Sequence, residues 1–278
     1  MLTKTPNFFI VGAPKAGTDA LYYELARHPE IYMSPLKEPC YFSSEIRPEN
    51  FAPELQERMR EQLRSTKQYT HGDMSQHRFG GIVSEWGDYL RLFQNAKSET
   101  ALGEGSVCYL WSKSAPCTIA SHLPHSKIII ILMDPAQRAL AQYRKSVSDG
   151  YVRHSFRQHL AQCFRNHDER FSLFYPFLEF GMYCKQVERY IAAFPSEQIS
   201  VCLYEDLTTD YRQWFARTLA FLGVSTDSAP APFEPDGSGH SRAPALEPAD
   251  RALLVDYYRN DVLDLEELIG RRLSSWLH

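Results

Sequence analysis

FFIVGAPKAGTDALYYELARHP, Phe8 to Pro29, decides how the rest of the chain is read. The apolar run Phe8–Val11 suits a buried strand, and a loop of Gly, Pro and Lys follows it. A helix is expected to open at Thr18 and Asp19 and to run to about His28, where Pro29 stops it. Such a turn collects the free N–H groups and positive dipole end of a helix start, and Lys15 adds a charge beside them. The arrangement is built for an anion. Gly12 and Gly17 have the G-x-x-x-x-G spacing of a nucleotide-phosphate loop, but Thr18 and Asp19 stand where Lys and then Ser or Thr would complete it. The lysine lies inside the loop instead. An ordinary ATP or GTP site therefore fails on its most diagnostic residue, and a different phosphate-like donor is implied.

Working outward, strands are expected at Phe8–Val11, near Ala101–Gly103, at Lys127–Leu132 (KIIIIL) and at Ile199–Leu203 (ISVCL). Helical patterns lie between them: Ala136 to about Val147 behind Asp134-Pro135, Tyr183 to Phe194, Tyr211 to Leu222 ending at Gly223, and Pro248 to Ile269. Alternating strands and helices imply an α/β fold with a central parallel sheet flanked by helices. With no internal repeat or linker, residues 1–278 are expected to form a single domain. Irregular lid or substrate loops are expected near 43–81 and 225–248.

Composition narrows the partners. A formal charge of −4 argues against a nucleic-acid coat and gives no reason to invoke an anionic membrane, so an anion site must be a local basic pocket. The six cysteines (40, 108, 117, 163, 184 and 202) include no C-x-x-C pair and fit free thiols better than a disulfide framework or a zinc site. The opening residues are too short and too early broken for a secretory leader, and no apolar run reaches spanning length. The expectation is a soluble, cytoplasmic protein with no metal. Oligomeric state has no signature in the sequence.

Five ordered blocks together resemble the sulfotransferase family that uses 3′-phosphoadenosine 5′-phosphosulfate, in particular its bacterial and heparan-sulfate-type branch. The first is the loop already quoted, where Lys15, Ala16, Gly17 and Thr18 look like the 5′-phosphosulfate segment. The others are HPEIYMSPLKEPCYF (His28–Phe42), GEGSVCYL (Gly103–Leu110), KIIIILMDPAQRALAQYRKSVSDGY (Lys127–Tyr151) and GMYCKQVERYIAAFPSEQISVCLYEDL (Gly181–Leu207). The resemblance implies a P-loop-like sulfotransferase fold and a sulfuryl transfer to a hydroxyl or amine of a small-molecule acceptor, such as a natural-product intermediate. Lys15 would stabilise the leaving phosphate. Glu38 matches the position of the base that removes the acceptor's proton; read without the resemblance, Lys37–Glu38 is a surface pair. Glu104 and Tyr109 would line the acceptor cleft. His77 and His71 are fallback bases, and His28 closes the first helix.

Three positions depart from the family pattern. Arg, and Ser in the next helix, usually grip the donor's 3′-phosphate; Met133 and Ala141 stand there and can donate nothing to it. Losing the arginine alone is worth about one to two powers of ten in donor affinity, at roughly 1.5–3 kcal/mol per charge-assisted hydrogen bond. Asp19 replaces a hydroxyl with a carboxylate that repels an anion, although it would serve as a helix N-cap. Arg138 keeps the motif's frame, and Arg242 in GSGHSRAP is the preferred substitute ligand. Two alternatives stay open: a repurposed fold that has lost the usual donor and catalyses another transfer or rearrangement, and a non-catalytic binding paralogue.

Overall fold

In the computed structural model, which describes residues 4–227 and 246–278, the apolar runs become strands of one parallel sheet. In chain order the strands are β1 (Phe8–Gly12), β2 (Ile31–Met33), β3 (Leu36–Lys37), β4 (Arg78–Phe79), β5 (Ala101–Gly105), β6 (Lys127–Leu132) and β7 (Ile199–Leu203). Five of them form the main sheet in the order β2-β5-β1-β6-β7, with every pairing parallel. β1 and β5 are buried along their whole length, and β6 is buried from Ile128 onward, as near-continuous apolar runs require when helices cover both faces. β3 and β4 make a separate two-residue parallel pair, Lys37 opposite Phe79.

The helices are α1 (Thr18–Leu25), α2 (Pro53–Thr70), α3 (Trp86–Arg91), α4 (Cys108–Trp111), α5 (Ala115–His122), α6 (Pro135–Ser148), α7 (Phe156–Arg165), α8 (Cys184–Ala193), α9 (Tyr204–Thr209), α10 (Tyr211–Leu222) and α11 (Pro248–Ile269). β1 lies at the centre of the sheet, with β5 on one side and β6 on the other. The chain therefore switches sides at β1, and the loop after its carboxyl end opens at the switch point, where open α/β sheets bind ligands.

Most expected elements are present within a residue or two, and several differences have clear causes. The stretch expected to be an irregular loop near 43–81 contains the 18-residue helix α2. Its only buried residues are Thr66 and Thr70, and its outer face carries the pairs Arg60–Glu57 and Arg64–Glu61 one turn apart. A helix held by so few apolar positions leaves little periodicity to read. α1 stops at Leu25, before His28, and its N-cap is Gly17, not Asp19. His28 sits beyond it, its Nε2 2.8 Å from the Ser225 carbonyl oxygen. Most of 225–248 lies outside the described residues, and the expected ligand Arg242 lies outside them too. No helix among the described residues is long and apolar enough to cross a membrane, and all six cysteines are free thiols.

Candidate active site

The loop is held open by its two ends. The Ala13 N–H donates to the Ile131 carbonyl at 2.5 Å, which carries the pairing with β6 one residue past β1, after a register shift between Ile10 and Gly12. At the other end Gly17 is left-handed (φ 87°), and a Cβ there would lie 3.2 Å from the Tyr204 ring. Only glycine combines that conformation with that clearance. No side chain among the described residues caps α1, so its first-turn N–H groups remain for a ligand. By contrast, Asp134 caps α6, accepting from the Ala136 N–H at 2.9 Å. Lys15, also left-handed (φ 68°), is partly buried beside this turn. Burial pulls its ammonium below the usual lysine range, Asp19 opposes that, and the charges of Lys145 and Lys37 add to it.

Lys37 is the residue the sequence reading underrates. It is no surface pair: the side chain is buried, with Nζ 2.6 Å from Asp19 Oδ1 and 2.8 Å from Glu38 Oε1. The Phe79 ring lies 5.1 Å from the same ammonium. Burial by itself would lower its pKa, but the Glu38 and Asp19 carboxylates together hold it above the ordinary lysine value. The Asp19 carboxylate expected to repel an anion is thus paired with a cation. The signal for Lys37 was its place beside Glu38 in a strand too short to show a period.

Glu38 is fixed from both sides. Its Oε2 accepts the Val107 N–H at 2.8 Å, its own N–H donates to the Gly105 carbonyl at 2.8 Å, and its backbone is left-handed (φ 64°). Asp19 on α1, Lys37 and Glu38 at β3, and Val107 before α4 therefore form one continuous chain of contacts beside the loop. Two residues beyond Glu38, Cys40 Sγ is 3.3 Å from Cys108 Sγ.

Glu104 and Tyr109, expected to line an acceptor cleft, lie wholly inside the protein. Glu104 accepts from Tyr89 Oη at 3.1 Å, from Ser106 Oγ at 2.9 Å and from the Tyr109 hydroxyl. Tyr109 also accepts from the Phe42 N–H at 3.3 Å. Burial raises the Glu104 carboxyl to about 7 against the pull of these three donors. Both residues support the Glu38 region from behind, because their strand end and short helix turn inward.

The other expected residues divide. Arg138 is fully buried; its guanidinium donates to Gln142 at 2.5 Å and to the Phe177 carbonyl at 2.6 Å, so it is spent in the core and not aimed at a ligand. Met133 and Ala141 provide no polar side-chain group, and the Met133 carbonyl accepts from Tyr183 at 2.9 Å. One turn past Ala141, exposed Lys145 is close enough for its charge to act on Lys15, although it also pairs with Asp149. His77 is exposed one residue before β4, and His71 binds Asp88 at 2.7 Å, so neither is brought to Glu38.

Comparison with known proteins identifies what the chain is similar to. Residues 6–228 match the model of the sulfotransferase family. Over 300 aligned positions the chain is 28% identical to the mouse (Mus musculus) bifunctional heparan sulfate N-deacetylase/N-sulfotransferase 4, with 98% of this chain and 31% of that protein covered. The human (Homo sapiens) bifunctional heparan sulfate N-deacetylase/N-sulfotransferase 3 is 27% identical, with 99% and 31% covered. The chain thus spans about a third of the length of these curated relatives. Among solved structures, a sulfotransferase from Alicyclobacillus acidocaldarius superposes with a TM-score of 0.80 at 34% identity, covering 99% of this chain and 100% of that one. The sulfotransferase domain of the curacin biosynthetic pathway shares the fold, with a TM-score of 0.51 at 14% identity, covering 97% of this chain and 99% of that one. Ordered blocks, sheet order and loop all agree with these matches, and the chain belongs to the sulfotransferase family.

Proposed function

We propose that this sulfotransferase moves a sulfuryl group from 3′-phosphoadenosine 5′-phosphosulfate to a hydroxyl or amine of a small-molecule acceptor. The observation that carries the reading is the ammonium of Lys37, which joins the carboxylate of Glu38 to Asp19 on the first turn of the anion-loop helix. Base and phosphate cradle are thereby held in one rigid unit. The donor supplies an activated SO₃ group on a phosphate leaving group. The uncapped start of α1 and Lys15 would hold that phosphate and stabilise the charge that builds on it, and they fit an anion because no side chain among the described residues caps those N–H groups. Glu38 Oε1 or Oε2 would take the proton that the acceptor atom loses. Nitrogen belongs among the candidate acceptor atoms because the curated relatives are named N-sulfotransferases.

Met133 and Ala141 favour a second reading, a cleft repurposed after loss of the usual donor, with a non-catalytic binder as its limiting case. Calorimetric titration with 3′-phosphoadenosine 5′-phosphate, the spent donor, separates the two. Micromolar binding supports transfer from the phosphosulfate. An absence of heat at millimolar ligand sinks it in favour of the repurposed cleft.

A further inference from the structure

Cys40 and Cys108 are 68 residues apart in sequence, yet their thiols touch in the interior, Cys108 Sγ donating to Cys40 Sγ at 3.3 Å. Ser43 Oγ donates to Cys108 Sγ at 3.4 Å, and Cys40 Sγ donates to the Glu38 carbonyl at 3.5 Å. The pair brackets the candidate base. Cys40 is two residues beyond Glu38, and Cys108 directly follows Val107, whose N–H holds Glu38 Oε2. We propose that Cys40 and Cys108 form a reversible disulfide, and that its closure ties the Glu38 segment to the start of α4 and stops turnover.

Geometry favours a disulfide over the other chemistry open to this cluster. Glu38, Cys40 and Cys108 have ligand atoms within 4.8 Å of one another, the spacing of a metal site. Even with a Glu38 oxygen the cluster offers three ligands where a closed zinc site needs four, and both Glu38 oxygens already accept from Lys37 and Val107. Disulfide formation asks less. The sulfurs must approach by about 1.3 Å to reach the bonded distance, shared between two side chains. A peroxide supplies the oxidation: one thiolate attacks its O–O bond to give a sulfenic acid, and the second sulfur displaces that hydroxyl as water. Two thiols lose two electrons and two protons, and hydrogen peroxide becomes two waters. A dithiol reductant reverses the bond by exchange. Contact with the Cys108 thiol, then burial, holds the Cys40 thiol well above its ordinary pKa, so attack by Cys40 is slow at neutral pH and quickens as pH rises.

Closure should stop turnover because Glu38 has to swing away from the Val107 N–H to present an oxygen lone pair to the acceptor's proton. A covalent link between Cys40 and Cys108 keeps Glu38 against the Val107 N–H. That consequence rests on Glu38 as the base, while the cross-link itself does not.

The test treats the full chain with hydrogen peroxide at pH 8, alkylates the remaining thiols and maps the peptides. The expected result is a Cys40–Cys108 cross-linked peptide, with four of the six cysteines still alkylated. Amide hydrogen exchange at 38–40 and 106–108 should slow in the oxidised form. Turnover should fall at least tenfold and return with dithiothreitol, while Cys40→Ser and Cys108→Ser each keep their turnover under the same oxidant. Absence of the cross-link, oxygen added to either cysteine in its place, or a cross-link that leaves exchange unchanged overturns the proposal. Because the peptide map and the exchange rates need neither donor nor acceptor, failure of the Glu38 assignment would show separately, as a formed and protective cross-link in a chain whose reduced form does not transfer sulfate.

Discussion

Lys37 Nζ lies 2.6 Å from Asp19 Oδ1, so a buried ammonium on β3 reaches across to the first turn of α1. The contact changes the meaning of Asp19. A carboxylate in that turn would oppose an incoming phosphate, but here it is half of an ion pair whose cation also holds Glu38. Asp19 is half exposed, so the pair gains little from that side, and its weight rests on the buried Lys37–Glu38 contact.

Lys37→Met should therefore be costly. It leaves the Glu38 carboxylate in a desolvated place without its cation, and breaking a buried pair from one side costs about 3 kcal/mol. Urea denaturation should show that loss. Turnover should fall with it, because the carboxylate loses the cation that fixes its position. A variant that unfolds at the wild-type urea midpoint would mean that the buried pair contributes nothing to the fold.

Lys15→Ala should reduce kcat/KM by about 10²–10³, the usual cost of removing one donor to a developing negative charge. The urea midpoint should barely change, since a partly buried cation whose burial disfavours its charge contributes little to folding. The same lowering predicts that wild-type activity declines on the alkaline side below pH 10.5, as Lys15 loses its proton early. Full turnover in the alanine variant would remove Lys15 from the mechanism.

Restoring Met133→Arg and Ala141→Ser together should tighten 3′-phosphoadenosine 5′-phosphate binding. The arginine alone should contribute about one to two powers of ten. Calorimetry reads this directly. No gain in affinity would show that the α6 face no longer meets the ligand.

Glu104 makes stability depend on pH in a defined window. Its folded pKa, pushed up to about 7 by burial, exceeds the ordinary value of 4.5, so the native state binds its proton more tightly than the unfolded chain. The contribution is fully present below pH 4.5 and is lost as pH rises to about 7. Glu104→Gln keeps the shape without the charge and should flatten that slope, leaving the variant more stable than wild type at pH 8. Denaturation midpoints from pH 4.5 to 8 check it; parallel curves for the two proteins would contradict the assignment.

Much of the fold was legible along the chain. KIIIIL and ISVCL became β6 and β7 at the expected residues, and Pro248–Ile269 became α11, because a short apolar run and a helix opened by Pro and ended by Gly each write a local pattern. β2 escaped notice because three residues carry no period, and α2 because its apolar face is sparse. In the site, Lys15 and Gly17 were legible from the loop's own spacing. Arg138 was misjudged because a motif frame says nothing about which way a helix turns its side chains, and here Phe177 and Gln142 claim the guanidinium.

By itself the sequence determined a parallel α/β sheet, a Gly- and Lys-bearing loop between its first strand and first helix, and a family ancestry, all consequences of short-range spacing. Only the tertiary structure decided that Lys37 is buried between Asp19 and Glu38, that Glu104 and Tyr109 stand behind the site, and that Cys40 meets Cys108. Each of those relations joins β3 or the Cys40 turn to another segment, or depends on which side of a strand or short helix faces inward. Burial and charge pairing across such distances are properties of the packed chain, and local periodicity holds no record of them.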